Sequence, residues 1–222
     1  MIKVFFGPMG ASKTKTLLDM HEAIYFKDRI MAFSPARDNR FGVGLIQDRD
    51  SRKIEATIID DIFQIEKHLA QTTKHVFIDE VNFFESEENI SKGISLYELE
   101  QRRYQSMRLL LSFSLYEKIN FYLFGLNLTA EMIPYGLMPA AIAFADERHE
   151  LFAECADCGD EKAKFTYYIP FEKGTNVIGA DDYCALCGQC HYKWEKIYKE
   201  LKEKNDLAQY FEFAKILKPG RK

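Results

Sequence analysis

A chain of 222 residues, 47% of them hydrophobic, is long enough to bury a core and fits one large domain or one domain with a small appendage. Its net charge of −4 and pI of about 5.8 argue against a non-specific nucleic-acid binder, which needs a concentrated positive surface. No apolar run approaches the roughly 20 residues of a membrane span, and the N-terminus does not resemble a signal peptide. We therefore expect a cytoplasmic protein without a membrane or nucleic-acid partner.

The first two thirds of the chain alternate short apolar runs with helical patterns. Strands are predicted at 2–6, 29–35, 54–60, 75–81 and 120–128, and helices at 13–25, 62–70, 90–116 and 139–151, the last being a helix or a helix followed by a strand. Strands that alternate with helices predict a parallel α/β sheet with both faces covered.

The composition changes after about residue 146. Two cysteine pairs and the β-rich stretch KFTYYIPFE come first, and a charged amphipathic helix is predicted at about 192–217. We expect three parts: an α/β domain at 1–150, a small metal-stapled domain at 151–192, and a C-terminal helix and tail at 193–222.

The stretch GPMGASKT, residues 7–14, follows the first strand and precedes the first helix. It matches the P-loop pattern G-x-x-x-x-G-K-[ST] except at Ser12, where the pattern has glycine. In a P-loop, backbone N–H groups converge on phosphates at a helix N-terminus. Lys13 would then reach the β- and γ-phosphates and Thr14 would hold Mg²⁺. From the motif alone, a strand-to-helix turn without a ligand remains the alternative.

A second acidic element ends the strand HVFIDEV at 75–81. A P-loop enzyme needs an acid at the tip of a neighbouring strand for its magnesium shell, and Asp79 has that place. The adjacent Glu80 can act as the base that takes a proton from an acceptor hydroxyl. Without the P-loop, two acids would equally well be a polar strand terminus.

Four of the five cysteines form two C-x-x-C pairs, Cys155 with Cys158 and Cys187 with Cys190. Four thiolates at tetrahedral spacing are typical of a structural Zn²⁺ site with no open position. Cys184 and His191 are close enough in sequence to replace a ligand, although Cys184 is better explained as a buried thiol.

Five ordered segments resemble the thymidine kinase family of the zinc-containing cellular and bacterial type: GPMGASKT, FIDEVNFF, FGLNLTAEMIPYG, CADCG and NVIGADDYCALCGQCH. SPARDNR and AFADERHELFAEC are similar to two further elements of that family. The resemblance implies a RecA-like P-loop domain with a parallel sheet flanked by helices, and a small zinc-stapled, β-rich lasso domain. It also implies a cytoplasmic enzyme that uses Mg-ATP to phosphorylate the 5′-hydroxyl of a deoxynucleoside, with thymidine favoured, and that forms a dimer or tetramer.

The resemblance also assigns roles to individual residues. Glu80 is implied as the general base. ATP and magnesium are assigned to Gly7, Pro8, Met9, Gly10, Ala11, Ser12, Lys13, Thr14, Arg40 and Asp79. The nucleoside is assigned to Met9, Phe83, Leu126, Tyr135, Thr166, Val177 and Tyr183. Zinc is assigned to Cys155, Cys158, Cys187 and Cys190.

Several positions depart from the family pattern. Ser12 replaces a glycine, Asn82 replaces a glutamine, and Ala130 stands where an aromatic residue would contact the base. The chain also carries an apparent inserted helix within 85–118. These departures leave two functional hypotheses: an active deoxynucleoside kinase, and a thymidine-kinase-like protein that binds nucleotide or nucleoside for regulation or interaction without transferring phosphate.

Overall fold

The computed structural model describes residues 1–38, 44–86, 93–169 and 183–217. The chain divides into two compact units. The first, called the sheet unit, is made of Met1–Phe6, Lys13–Asn127 and Pro134–Glu150. The second, called the cysteine unit, is made of Gly7–Ser12, Leu128–Ile133 and Leu151–Lys222.

The sheet unit alternates strands and helices along the chain. Its elements are β1 (Ile2–Phe6), α1 (Lys13–Ala23), β2 (Ile30–Pro35), β3 (Leu45–Gln47), β4 (Lys53–Glu55), β5 (Thr57–Ile59), β6 (His75–Ile78), α2 (Leu96–Tyr116), β7 (Asn120–Gly125), α3 (Met138–Phe144) and β8 (Glu147–Glu150). Six of the strands form a parallel sheet in the order β5-β2-β6-β7-β1-β8. The predicted parallel α/β fold is therefore confirmed.

The two faces of this sheet bury different side chains, because successive residues of a strand point to opposite faces. One face is mainly aliphatic and packs with residues of α2 and α3; its cluster includes Ile2, Val4, Val76, Ile78, Phe121, Leu123, Met107, Leu110, Met138 and Ala141. On the other face aromatic rings stack across strands, Phe77 on Tyr122 and Phe5 on Phe124. His21 of α1 meets the edge of Phe77.

In the sheet unit, two predicted elements between residues 54 and 70 differ from the structure. The run 54–60 is divided at Ala56 into β4, which pairs with β3 in an antiparallel hairpin, and β5, which joins the main sheet. The helical pattern at 62–70 forms a 3₁₀ turn at Ile62–Lys67, capped by Asp61. Period alone cannot distinguish these outcomes over such short runs.

The cysteine unit contains an antiparallel pair, β9 (Phe165–Tyr168) and β10 (Tyr183–Leu186), followed by α4 (Gly188–Glu203) and α5 (Leu207–Ala214). The single helix predicted at about 192–217 is therefore two helices. Asn205 takes a positive φ of 55°, and the side chain of Asp206 accepts a hydrogen bond from the N–H of Gln209 to cap α5. Trp194 and Tyr210 lie at the centre of this unit's core.

Candidate active site and metal centre

The loop Gly7–Ser12 has the backbone geometry that its glycines suggest. A Cβ atom at Gly7 would lie 2.1 Å from the carbonyl oxygen of Leu151, so only glycine fits there. Gly10 has a φ of 80°, in the region that glycine enters without a steric penalty. The N–H of Ala11 donates to the carbonyl of Pro8 at 3.3 Å. The loop is thus a tight turn immediately before α1.

Ser12 also adopts a positive φ, of 57°. The serine therefore takes the left-handed conformation that a glycine at this position of the pattern would supply, at a cost of about 1 kcal/mol or more. Its side chain is exposed. The substitution keeps the local backbone conformation.

Within the sheet unit, the start of α1 lies beside the end of β6. Lys13, the first residue of α1, is buried. The hydroxyl of Thr14 donates to the Oδ2 atom of Asp79 at 3.4 Å. A hydroxyl next to a carboxylate is a pair of hard oxygen ligands of the kind that Mg²⁺ takes, directly or through water, so the side chains present fit a magnesium ion.

The two acids after β6 have a constrained backbone. The N–H of Asp79 donates to the carbonyl of Phe33 on β2 at 3.0 Å, which continues the sheet pairing by one residue. Glu80 then takes a φ of 49°, and its N–H donates to the Asp79 side chain at 3.0 Å. Both acids are buried. The left-handed turn ends the strand, so the predicted strand to residue 81 stops at Ile78.

Two of the aromatic residues predicted to bind the nucleoside, Phe83 and Tyr135, lie in contact in the sheet unit. Phe83 lies in a 3₁₀ turn, Val81–Phe83, and its ring meets that of Tyr135 edge-on at 5.8 Å between centroids. The guanidinium of Arg37 lies 5.7 Å from the centre of the Phe83 ring. Leu126 is anchored nearby, because its N–H donates to the Asn82 side chain at 2.8 Å.

Two other predicted nucleoside residues meet in the cysteine unit. The N–H of Met9 donates to the hydroxyl of Thr166 at 3.0 Å. Tyr183 begins β10 opposite Tyr168, with the two rings 5.2 Å apart. Arg40 and Val177 lie outside the described residues.

The four predicted zinc ligands converge in the cysteine unit. The Sγ atoms of Cys155, Cys158, Cys187 and Cys190 all lie within 4.8 Å of one another. The Sγ atoms of Cys158 and Cys187 are 3.8 Å apart. A tetrahedron with Zn–S bonds of about 2.3 Å has sulfur–sulfur edges of about 3.8 Å, so this cluster fits a tetrahedral zinc ion.

Backbone groups already favour a thiolate in this cluster. The N–H of Cys187 donates to the Sγ atom of Cys155 at 3.3 Å. Burial opposes ionisation, but hydrogen bonds from Cys187, Cys158 and Asp157 outweigh it and bring the pKa of Cys155 to about 7. Cys184 is not in the cluster, and burial raises the pKa of its thiol to about 12. Within the described residues the metal-binding group is thus the four predicted cysteines.

Sequence reasoning missed three neighbours of the predicted site. In the sequence Asn82 is distinguished only by replacing a glutamine of the family pattern, yet its side chain accepts a hydrogen bond from the N–H of Leu126 and fixes the start of that segment. Arg37 belongs to the SPARDNR element, where only Arg40 was singled out. A Cβ atom at Gly136 would lie 1.9 Å from the carbonyl oxygen of Asn82. That close approach was signalled only by a glycine directly after Tyr135.

Comparison with known proteins gives consistent matches. A family model described as thymidine kinase matches residues 1–101. Over 189 residues the chain is 25% identical to a thymidine kinase of Pseudothermotoga lettingae, covering 84% of this chain and 92% of that protein. A Mycoplasma mobile thymidine kinase is 26% identical, with coverages of 88% and 89%. One from Bacteroides fragilis is 29% identical, with coverages of 86% and 87%.

The family pattern and the fold agree. No helix in the described part of the chain combines the length and the apolar character that a bilayer crossing requires. The matches extend over most of the chain, and the structure adds a parallel six-stranded sheet flanked by helices and a cluster of four cysteines. Together these findings support the assignment of the chain to the thymidine kinase family, as a divergent member.

Proposed function

We propose that the protein is an ATP-dependent deoxynucleoside kinase, with thymidine as its favoured substrate. The observation that carries this proposal is the hydrogen bond between Thr14 and Asp79, with Glu80 next in the chain. It joins the residue that follows the P-loop lysine to the acid at the end of β6, which is separated from β1 in the sheet by β7. These are the parts that P-loop phosphoryl transfer requires for its metal. The thymidine kinase relatives support the choice of substrate.

In the proposed reaction the loop Gly7–Ser12 and Lys13 bind the ATP phosphates, and Arg40 adds a positive charge on the phosphate side. Thr14 and Asp79 would hold the magnesium ion, which would supply positive charge to neutralise the charge that develops on the phosphate oxygens. Glu80 accepts the proton of the nucleoside 5′-hydroxyl. The 5′-oxygen forms a bond to the γ-phosphorus as the bond from that phosphorus to the β–γ bridging oxygen breaks. The products are ADP and the nucleoside 5′-monophosphate.

The remaining residues select and orient the nucleoside in this proposal. Phe83 stacks on the base, with Tyr135 and Arg37 fixing its ring. The other residues proposed to line the base are Met9, Leu126, Thr166, Val177 and Tyr183. The zinc that the four cysteines would hold is structural, because a four-thiolate site leaves no coordination position for a substrate. The family resemblance further suggests a homo-oligomer.

The test is a phosphoryl-transfer assay with Mg-ATP against thymidine, deoxyuridine and the other common nucleosides. Glu80→Gln should lower kcat by about 100-fold or more, because general-base catalysis contributes about 10²–10⁴-fold. Thymidine affinity, measured by calorimetry, should change little, because glutamine preserves the shape of the side chain. Glu131→Gln, at an exposed acid, is the matched control and should leave kcat unchanged.

Full activity in Glu80→Gln would exclude Glu80 as the base. Binding of thymidine and ATP by the wild-type protein without turnover on any nucleoside would instead favour the alternative, a binding protein that has lost transfer. Ser12 and Ala130 are the departures from the family pattern that make this second outcome worth testing.

A further inference from the structure

Glu85 is an acid that neither the family resemblance nor the proposed reaction uses, and its side chain is only 2% exposed. Three residues of helix α2 form hydrogen bonds with it. The Nε atom of Arg102 donates to Oε2 of Glu85 at 2.9 Å, and the hydroxyl of Ser106 donates to Oε1 at 3.3 Å. The Nε atom of Arg103 donates to the main-chain oxygen of Glu85 at 2.9 Å. Both the side chain and the backbone of Glu85 are therefore bound to one helix.

The two arginines are themselves held at their other ends. The guanidinium of Arg102 also pairs with Asp61, the residue that caps the 3₁₀ turn Ile62–Lys67. Nη1 of Arg103 lies 2.6 Å from Glu100 one turn earlier on α2. Planar guanidinium groups bonded at two points have little freedom to move. Arg102 thus links the loop after β6 to the loop after β5 through helix α2.

Glu85 lies at the C-terminal end of a short segment that begins with Asp79 and Glu80, the two acids of the proposed reaction. Glu80 and Glu85 have φ values of 49° and 48°, and the 3₁₀ turn that carries Phe83 lies between them. A left-handed backbone at a residue other than glycine is strained and persists only where its surroundings hold it. Asp79 is fixed at the start of the segment by its bond to Phe33. Glu85 supplies the corresponding anchor at the other end.

We propose that Arg102 and Arg103, by holding Glu85, are positioning residues that fix the segment carrying Glu80 and Phe83, and so set the placement of the nucleoside without contributing to ATP binding. This inference rests on the proposed function. It gives helix α2, which the sequence suggested as an insertion, a role in the acceptor half of the site.

The discriminating variant is Arg102→Met, which keeps the aliphatic length of the side chain and removes both of its charged bonds. It should raise KM for thymidine and lower kcat, with kcat/KM for thymidine falling by about 10- to 100-fold, as small misplacements of reacting groups do. The dissociation constant for Mg-ATP, measured by calorimetry, should stay within about twofold of wild type. Glu85→Gln should act in the same direction, and the Arg102→Met/Glu85→Gln double variant should be no worse than the poorer single one.

Arg108→Met is the matched control, because Arg108 lies on the exposed side of the same helix beside the Tyr104 ring. It should leave all constants unchanged. A purely structural role for Arg102 would lower the melting temperature while leaving KM for thymidine as in wild type, and that result would overturn the proposal. So would an equal loss of ATP and thymidine affinity. If the wild-type protein transfers no phosphate, the proposed function fails first; if it does and Arg102→Met matches it, only this inference fails.

Discussion

Ser12 and Glu80 of the candidate site, and Glu85 at the end of the segment that carries Phe83, have positive φ values between 48° and 57°. Side chains other than glycine rarely adopt this conformation, because Cβ comes close to the following carbonyl oxygen. At Glu80 and Glu85 the strained residues bracket the Phe83 turn. At Ser12 the strain falls at the end of the phosphate loop. At these three positions the strain falls in or beside parts of the chain that the proposed chemistry needs to be fixed.

Ser12→Gly tests whether the serine impairs the loop. We expect Mg-ATP affinity to change by less than about threefold, because the serine already has a left-handed backbone. The free energy of unfolding should change by less than about 1 kcal/mol, since relief of strain is offset by the greater freedom of glycine in the unfolded chain. Calorimetric titration with ATP and thermal unfolding measure both quantities.

Ser12→Val is the informative counterpart. A β-branched residue is a true outlier at positive φ, so this variant should lose both stability and ATP affinity. A tenfold gain in affinity for Ser12→Gly would contradict our expectation, and would mean that the serine side chain itself obstructs the phosphate.

Among the elements, strand β9 and helix α5 are joined in the cysteine unit by a pair of buried tyrosines. The hydroxyl groups of Tyr167 and Tyr210 lie 2.9 Å apart. The ring of Tyr210 also meets those of Trp194, Tyr198 and Phe211. Burial raises the pKa of Tyr167 to about 12, and burial with the bond to Tyr167 raises the pKa of Tyr210.

This pair should make the protein sensitive to alkaline pH. An unfolded tyrosine ionises near pH 10, whereas these two resist ionisation while folded. Their contribution to stability is therefore fully present below about pH 10 and is lost as pH rises above it, for Tyr167 through its folded pKa of about 12. Thermal unfolding between pH 8 and 12 should show a steeper decline for wild type than for the Tyr167→Phe/Tyr210→Phe double variant.

Tyr192→Phe serves as the control, because Tyr192 is 70% exposed and removal of its hydroxyl should leave the alkaline decline in stability as in wild type.

The Tyr210→Phe single variant should be destabilised at neutral pH by about 1–3 kcal/mol, since the Tyr167 hydroxyl would then be buried without this partner. An identical alkaline slope for wild type and the double variant would refute the assignment.

For the molecule as a whole, the proposed zinc site should stabilise one unit selectively. The chain has a single tryptophan, Trp194, which is 2% exposed and lies in the core of the cysteine unit. Its fluorescence therefore reports on that unit alone.

We expect about one zinc per chain by elemental analysis, and a red shift of the Trp194 emission when a strong chelator removes the metal. The reason is that the binding energy of a structural zinc is also folding energy. Circular dichroism from the parallel sheet should change less. Cys184→Ala should retain zinc, whereas Cys155→Ala should lose it. Metal-free protein with unchanged Trp194 emission under chelation would argue against the site.

The parallel sheet and the cysteine cluster could both be predicted, for different reasons. Buried parallel strands are short apolar runs, and 2–6 and 75–78 are such runs with helix-length gaps. The cysteine cluster is predictable because its four residues occur as two C-x-x-C pairs, a spacing typical of zinc sites. The division of 54–60 at Ala56 depends on which partner each half finds, and this is tertiary information.

The candidate site was predictable only in part. Motifs identified Thr14 and Asp79, which the structure brings together. No sequence motif indicates the ion pair between Glu85 and Arg102, because the two residues are 17 positions apart and each is an ordinary charged residue in sequence. The three-part domain division and the individual ligand roles stay predictions.

The cysteine unit is assembled from three separate stretches of chain, and this bears on how the protein is made. The phosphate loop, Gly7–Ser12, leaves the ribosome first, but its hydrogen-bond partner Thr166 belongs to the last stretch. At about 5–20 residues per second, that partner follows the loop by roughly 10–30 s. A nascent or prematurely terminated chain therefore carries an intact phosphate motif that lacks its support. Synthesis itself therefore delays the supported loop until Thr166 has been made.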